Sequence, residues 1–211
     1  MRELNRLDIK NWEPTPQALA VAVAERLHAI ADSIDALILM DQVDVAHTGV
    51  ITHAVLEAVA MVAAHRPELP VLADSRRSLR GFPCSIFKMN AAELSLFAGQ
   101  PVPDLKDVQA AAATLAKDNG RPVFVTMAER GIVGAAPNGE VFHRPALPVL
   151  GPIDVVGAGD SVTANLAAAL AAGGSLPEAM ELAMAAAHCV VHQLGTTGTA
   201  SVSQLRQIVV G

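Results

Sequence analysis

The chain has 211 residues, of which 52% are hydrophobic and 3% aromatic, and its formal net charge at pH 7 is −6. This length suffices for one sizeable α/β core and is short for two domains, so we expect a single domain over residues 1–211. Lysine and arginine are scattered, which argues against nucleic acid as a partner. Neither a signal-peptide pattern nor an uncharged apolar run of membrane-spanning length occurs, so we expect no membrane partner and a cytoplasmic location.

Apolar residues recur at helical spacing in some stretches and form short continuous runs in others. The continuous runs predict buried strands at residues 36–40, 70–73, 85–88 and 122–127. Helical spacing and capping residues predict helices at residues 16–33, 50–65, 91–98, 105–117, 161–172, 175–193 and 203–209. Thr15 is the expected cap of the first helix, and Thr48-Gly49 the expected start of the second.

The pattern changes after the fourth strand. Asn138-Gly139, the preferred pair for a type I′ turn, separates apolar runs at residues 132–136 and 140–144 and predicts one β-hairpin. Strand–helix alternation, followed by this hairpin and two long helices, predicts an α/β fold. We expect a doubly wound, mostly parallel sheet with helices on both faces.

The cysteines and histidines show no metal-binding spacing. Cys84 and Cys189 are far apart and are interpreted as buried thiols. His188 and His192 are four residues apart on a predicted helix, and we expect them on its surface rather than on zinc.

The stretch at residues 154–160, Asp-Val-Val-Gly-Ala-Gly-Asp, turns sharply into a long Ala- and Leu-rich helix. Gly157 and Gly159 allow backbone angles that a Cβ would obstruct. The free amides and the positive dipole end at a helix start favour an anion. Asp160, in the first turn, would then take a proton from a hydroxyl that attacks a phosphoryl group. The alternative is a glycine-rich loop with an acidic cap.

Polar side chains follow several predicted strands, namely those of Asp41, Asp74, Asn90 and Thr126. Ligands of such sheets collect at the carboxyl ends of the strands. We therefore expect these side chains to lie close to the start of the helix that carries Asp160. Asn90 and Glu93 form a capping box, which is a sufficient structural role. The same amide and carboxylate could also hold the waters of a hydrated Mg²⁺.

The 154–160 stretch resembles the Asp-x-x-Gly-Ala-Gly-Asp signature of the ribokinase-like (PfkB) carbohydrate kinases. The resemblance implies that Asp160 is the catalytic base. It also implies that the amides of Gly157, Ala158 and Gly159 form the anion hole.

Three further segments resemble the nucleotide half of the same family. Residues 88–93 are similar to its Asn-x-x-Glu motif, which implies Mg²⁺ held through water by Asn90 and Glu93. Residues 126–131 resemble its Thr-x-Gly-x-x-Gly loop, with Ala128 in place of a glycine. Residues 194–199 resemble the loop that closes over adenine, and Met184 stands where many relatives carry Asn. The residues implied to bind ATP are Asn90, Glu93, Thr126, Glu129, Gly131 and Gly195, and those implied for a monovalent cation such as K⁺ are Asp154 and Thr199.

Within the family the likeness is to the heptose-phosphate kinase branch, beginning at Asn5-Arg6-Leu7-Asp8 and covering nearly the whole chain. The family's Gly-Gly sugar-binding motif, several strands and its lid would precede Met1. We therefore expect a kinase chain that lacks the N-terminal third, and an exposed sheet edge that favours self-association.

The resulting hypothesis is ATP-dependent phosphoryl transfer to a hydroxyl of a sugar or sugar phosphate. A rival is a non-catalytic nucleotide-binding or subunit-interaction protein that has kept the fold. A nicotinamide-dependent oxidoreductase is disfavoured because the third glycine of a dinucleotide fingerprint is missing.

Overall fold

The computed structural model describes residues 11–211, so the segment at residues 5–8 lies outside the described part. The strands are β1 Leu37–Asp41, β2 Val71–Ser75, β3 Ile86–Asn90, β4 Val123–Thr126, β5 Ile132–Ala135 and β6 Val141–Arg144. The helices are α1 Gln17–Ile30, α2 His53–His65, α3 Ala91–Ala98, α4 Leu105–Asn119, α5 Ala158–Ala171, α6 Leu176–Val191 and α7 Val202–Val209. None of the helices in residues 11–211 is both long and apolar enough to cross a membrane.

The six strands form one sheet in the order β1-β2-β3-β4-β5-β6. Strands β1 to β4 are parallel, and β5 and β6 add the antiparallel hairpin. The register pairs Met40 with Asp74 and Asn90 with Thr126, which brings the carboxyl ends of these strands to one edge. The predicted α/β class, with a mostly parallel sheet, is confirmed.

Helices cover both faces of the sheet because successive strand residues point to opposite sides. Helices α1 to α4 pack on one face, with a core that includes Val59, Val71, Val108 and Val125. Helices α5 and α6 pack on the other face, with a core that includes Leu72, Phe124, Leu166 and Met180. Helices α5 and α6 therefore lie on the opposite face of the sheet from helices α1 to α4.

The starts of the first two helices differ from the prediction. Pro16 is itself the N-cap of α1, so the expected cap at Thr15 is wrong. The Thr15 hydroxyl instead donates to the carbonyl of Gly49 at 2.8 Å. Helix α2 begins at His53 rather than at residue 50, because Thr52 caps it. The Thr15 hydroxyl is thus used in a contact across 34 residues, which local spacing does not show.

The hairpin is present, but its turn is not type I′. The Gly139 amide donates to the carbonyl of Ala136, and the Ala136 amide donates to Glu140, which leaves a three-residue loop. Of the pair Asn138-Gly139, only the glycine has a positive φ. Pro137 fixes φ for the first position of a type I turn, and the following glycine forms the bulge.

The two cysteines are less buried than expected. Cys84 is exposed, and its thiol donates to the carbonyl of Asn119 at 3.3 Å. Cys189 is half-buried, and this burial raises the pKa of its thiol.

The connection from β4 to β5 holds a non-glycine residue in a left-handed conformation. Ala128 has φ +51°. The loop closes through the Met127 amide, which donates to the Gly131 carbonyl at 2.8 Å. A Cβ on Gly131 would lie 2.0 Å from the Arg144 carbonyl oxygen, so only glycine fits at that position. Ala128 therefore takes its left-handed conformation within a loop that is closed by its neighbours.

Ala128→Gly should stabilise the protein by roughly 0.5–1 kcal/mol, because an L-residue in this region costs about 1–2 kcal/mol and glycine recovers most of that. The matched control is Ala60→Gly, at an exposed position inside α2, which should destabilise by about 1 kcal/mol. Urea unfolding measures both. Equal losses in the two variants would show that Ala128 is unstrained.

Candidate active site

Helix α5 begins at Ala158, three residues earlier than expected. Gly157 takes a left-handed conformation at φ +80°, which turns the chain directly into the helix. Asp160 is consequently the third residue of the helix, and it is exposed. The acid and the two glycines thus lie within one turn, as the anion-hole hypothesis requires.

The amides of this turn are not equivalent. The Ala158 amide donates to the Val155 carbonyl at 3.2 Å. Within the described residues, the amides of Gly157, Gly159 and Asp160 have no hydrogen-bond partner. These three amides are therefore the donors available to an anion at the positive end of α5.

Asp154 holds the shape of the turn from its amino-terminal side. Its Oδ1 accepts from the Val156 amide at 3.0 Å, and its Oδ2 accepts from the Gly195 amide at 3.1 Å. A Cβ on Gly157 would lie 2.9 Å from Cγ2 of Thr197. The loop after α6 is therefore fastened against the start of α5.

Thr199 lies at the far end of that loop. Its amide donates to Oε1 of Gln193 at 3.1 Å, and its carbonyl accepts from Nε2 of the same side chain at 2.7 Å. Asp154 and Thr199 thus both shape the loop that begins at Gly195.

A cavity of about 540 Å³ lies beside the first turn of α5, between the β4–β5 connection and helix α6. It brings together six of the predicted site residues. These are Asn90, Thr126, Glu129, Gly131, Ala158 and Gly159. The remaining predicted residues, Glu93, Asp154, Gly157, Asp160, Gly195 and Thr199, surround the turn or the adjoining loops without lining this cavity.

The capping box at the start of α3 is confirmed and constrains any metal site. Asn90 Oδ1 accepts from the Glu93 amide at 2.9 Å, and Glu93 Oε2 accepts from the Asn90 amide at 2.7 Å. Glu93 Oε1 remains able to accept from a metal-bound water, so the pair fits a hydrated Mg²⁺ held indirectly. Within the described chain, no cluster of three or more His, Cys, Asp or Glu side chains could hold a metal directly.

A buried ion pair beneath α5 was missed by the sequence reasoning. Lys88 Nζ lies 2.7 Å from Asp74 Oδ2, and the two side chains are only 8% and 10% exposed. Thr163, on α5, has its hydroxyl 3.3 Å from the same carboxylate oxygen and 3.1 Å from the Gly159 carbonyl. A Cβ on Gly159 would lie 3.4 Å from Lys88 Nζ. The sequence signal for this ion pair was Lys88 itself, a lysine inside an otherwise apolar strand.

A second ion pair lies farther along the carboxyl edge of the sheet. Buried Asp41 accepts from the Ser75 hydroxyl at 3.0 Å and from Arg77 Nη2 at 2.7 Å. Asp74, on the neighbouring strand, belongs to the first pair. The polar side chains predicted at this edge do converge. Asp41 and Asp74 are each paired with a cation, whereas Asn90 and Thr126 line the cavity.

Helix α6 and the residue that follows it carry two neighbouring histidines, of which His188 lines the cavity. The rings of His188 and His192 lie 4.5 Å apart between centroids. Both residues are half-buried rather than on the surface. Burial, and then the neighbouring imidazole, lower the pKa of His188.

Comparison with known proteins adds the family to this geometry. The pfkB family carbohydrate kinase profile matches residues 20–202. The Bifunctional protein HldE of Trichlorobacter lovleyi is 32% identical, over 93% of this chain and 39% of that protein. The Bifunctional protein HldE of Pseudomonas syringae pv. syringae is also 32% identical, over 99% of this chain and 42% of that protein. The chain thus spans about two fifths of the length of these curated relatives.

Solved structures support the same fold. Arabidopsis thaliana ribokinase complexed with ribose and ATP superposes with a TM-score of 0.74 at 22% identity, covering 88% of this chain and 58% of that one. Escherichia coli phosphofructokinase-2 in complex with potassium gives a TM-score of 0.70 at 21% identity, covering 89% and 61%. The resemblance found in the sequence is therefore confirmed, and the chain belongs to the pfkB family of carbohydrate kinases.

Proposed function

We propose that the chain supplies the nucleotide site and the catalytic base for ATP-dependent phosphoryl transfer to a hydroxyl of a sugar or sugar phosphate. The observation that carries the proposal is the start of α5. There, Gly157 in a left-handed conformation, unpaired amides and Asp160 lie together beside a cavity. The solved ribokinase relative was complexed with ribose and ATP.

Asp160 removes the proton of the acceptor hydroxyl as its oxygen attacks the γ-phosphorus. The amides of Gly157 and Gly159 donate to the oxygens of the phosphoryl group that is transferred, and they stabilise its negative charge. The Lys88 ammonium behind Gly159 is paired with Asp74, so the anion site depends on the amides rather than on that charge. Mg²⁺, when bound through water by Glu93, would neutralise phosphate charge.

The cavity takes the rest of the nucleotide. One wall of it is formed by Thr126, Glu129 and Gly131. Gly195 contacts the turn because its amide donates to the Asp154 carboxylate. We propose K⁺ as a second cation near Asp154 and Thr199. Each oxygen of the Asp154 carboxylate accepts one hydrogen bond from a backbone amide here and can take a further partner. The phosphofructokinase-2 relative was solved with potassium.

Asp160→Asn should lower phosphoryl transfer by about 10²–10⁴-fold, because it removes the general base and keeps the shape of the side chain. Mg·ATP affinity should stay the same or rise slightly, because a negative charge near the phosphates is removed. Calorimetry measures the affinity, and coupled ADP release with a panel of sugars and sugar phosphates measures transfer. The relatives extend beyond the matched region, so transfer is measured on the chain itself and on a fusion with a relative's N-terminal portion.

Asp154→Asn is the matched comparison, since it is the same substitution in the same turn. It weakens the bonds to Val156 and Gly195, so affinity and transfer should fall together. Full activity of Asp160→Asn in the fusion would contradict the mechanism. Mg·ATP binding without transfer in either protein would favour the rival, a nucleotide-binding protein without catalysis.

We also propose that the chain self-associates through the β1 edge. Within residues 11–211 no strand pairs with the outer side of β1. Ile38, on this strand, is 36% exposed. A free, apolar strand edge is a template for pairing with another chain. One of the phosphofructokinase-2 structures similar to this chain is tetrameric.

Ile38→Lys should reduce self-association, because a charged edge residue opposes strand pairing. Met61→Lys is the control, since Met61 is an exposed apolar residue on α2 rather than on the strand edge. Light scattering over a concentration series gives the mass of each variant. A wild-type protein that stays monomeric at high concentration would disprove the proposal.

A further inference from the structure

The lining of the cavity is mixed in chemistry. The amide of Gly159 lines it at the start of α5 and suits phosphate. Most of the other lining side chains are apolar, and they include those of Val149, Ile153, Val155, Met184 and Val191. Such walls can enclose the faces of a flat, uncharged ring, but they offer nothing to the polar edge of that ring.

His188 is the exception on the α6 side of the cavity. Among the described lining residues it is the only polar side chain that α6 contributes. Its Nδ1 is buried and has no hydrogen-bond partner within the described residues. The neighbouring His192 ring does not supply one through its own Nδ1, which bonds to the His188 carbonyl at 2.7 Å.

An unpaired buried nitrogen is unfavourable unless a partner arrives. A half-turn of the ring exchanges the nitrogen and carbon positions, so either nitrogen of His188 can face the cavity. We propose that His188 hydrogen-bonds the polar edge of the base of the bound nucleotide and so contributes to base recognition. This inference rests on the proposed nucleotide site and assigns a specificity residue within it.

The charge state of His188 agrees with a base rather than a phosphate as its partner. Burial and the His192 ring lower the pKa of His188, which favours the neutral ring at pH 7. A neutral imidazole has one donor and one acceptor, whereas a phosphate site requires cations or amides. The cavity offers such a group in the Gly159 amide at the start of α5.

The test compares two probes on the same protein by calorimetry: Mg·ADP, and Mg·tripolyphosphate, which has no base. His188→Phe keeps a flat ring and removes the nitrogens, so it should weaken Mg·ADP binding roughly 3- to 10-fold, the value of one hydrogen bond. Binding of Mg·tripolyphosphate should not change. His188→Asn should restore most of the Mg·ADP affinity. Glu181→Gln, at an exposed position of α6 that does not line the cavity, is the control and should leave both affinities unchanged.

A measurement on the wild-type protein covers the case in which the Phe variant does not fold. The imidazole ¹⁵N resonances of His188 should shift on adding Mg·ADP and stay in place on adding Mg·tripolyphosphate. Equal Mg·ADP affinity in wild type and His188→Phe, or a parallel loss for both probes, would overturn the inference while leaving the nucleotide site intact. Failure of the wild type to bind either probe would overturn the proposed function and this inference with it.

Discussion

The buried pair of Lys88 and Asp74 constrains the whole site. An ammonium in this position would be strongly unfavourable without a partner, and the carboxylate on the neighbouring strand supplies one at 2.7 Å. Thr163 extends the same contact to α5, because its hydroxyl lies within hydrogen-bonding distance of both Asp74 and the Gly159 carbonyl. The sheet and the first turn of α5 are therefore held in one relative position. Removing either charge would leave the other buried and uncompensated, typically at a cost of about 3–5 kcal/mol.

The same turn is held from its other side by Asp154. Its carboxylate bonds to Val156 within the turn and to Gly195 in the loop after α6. Helix α6 forms the opposite wall of the cavity. The start of α5 and the loop after α6 are thus joined by direct hydrogen bonds, so the two walls of the cavity are held together within the protein. A site held in place in this way lowers the ordering cost of binding.

Local signals predicted the parts of the structure that depend on local chemistry. The Asn90 capping box and the end of α3 at Gly99 agree with the structure because caps act within one helical turn. The strand-end rule placed Asn90 and Thr126 at the cavity. The predicted Thr15 cap of α1 was wrong because the Thr15 hydroxyl bonds instead to the carbonyl of Gly49, far away in sequence. The surroundings of Lys88 and His188 were missed because they depend on which side chains face each other across the sheet and the cavity.

The β4–β5 connection shows that a motif can lose a residue and keep its geometry. Ala128 replaces a glycine of the family pattern, yet it holds φ +51°, in the region that favours glycine. The reason lies in its neighbours. Gly131 is packed against the Arg144 carbonyl and accepts the Met127 amide bond, so the hairpin imposes the loop's path on whatever residue stands at position 128. Alanine in place of glycine at position 128 therefore adds strain and one methyl group. The cavity wall formed by Thr126, Glu129 and Gly131 stays in place.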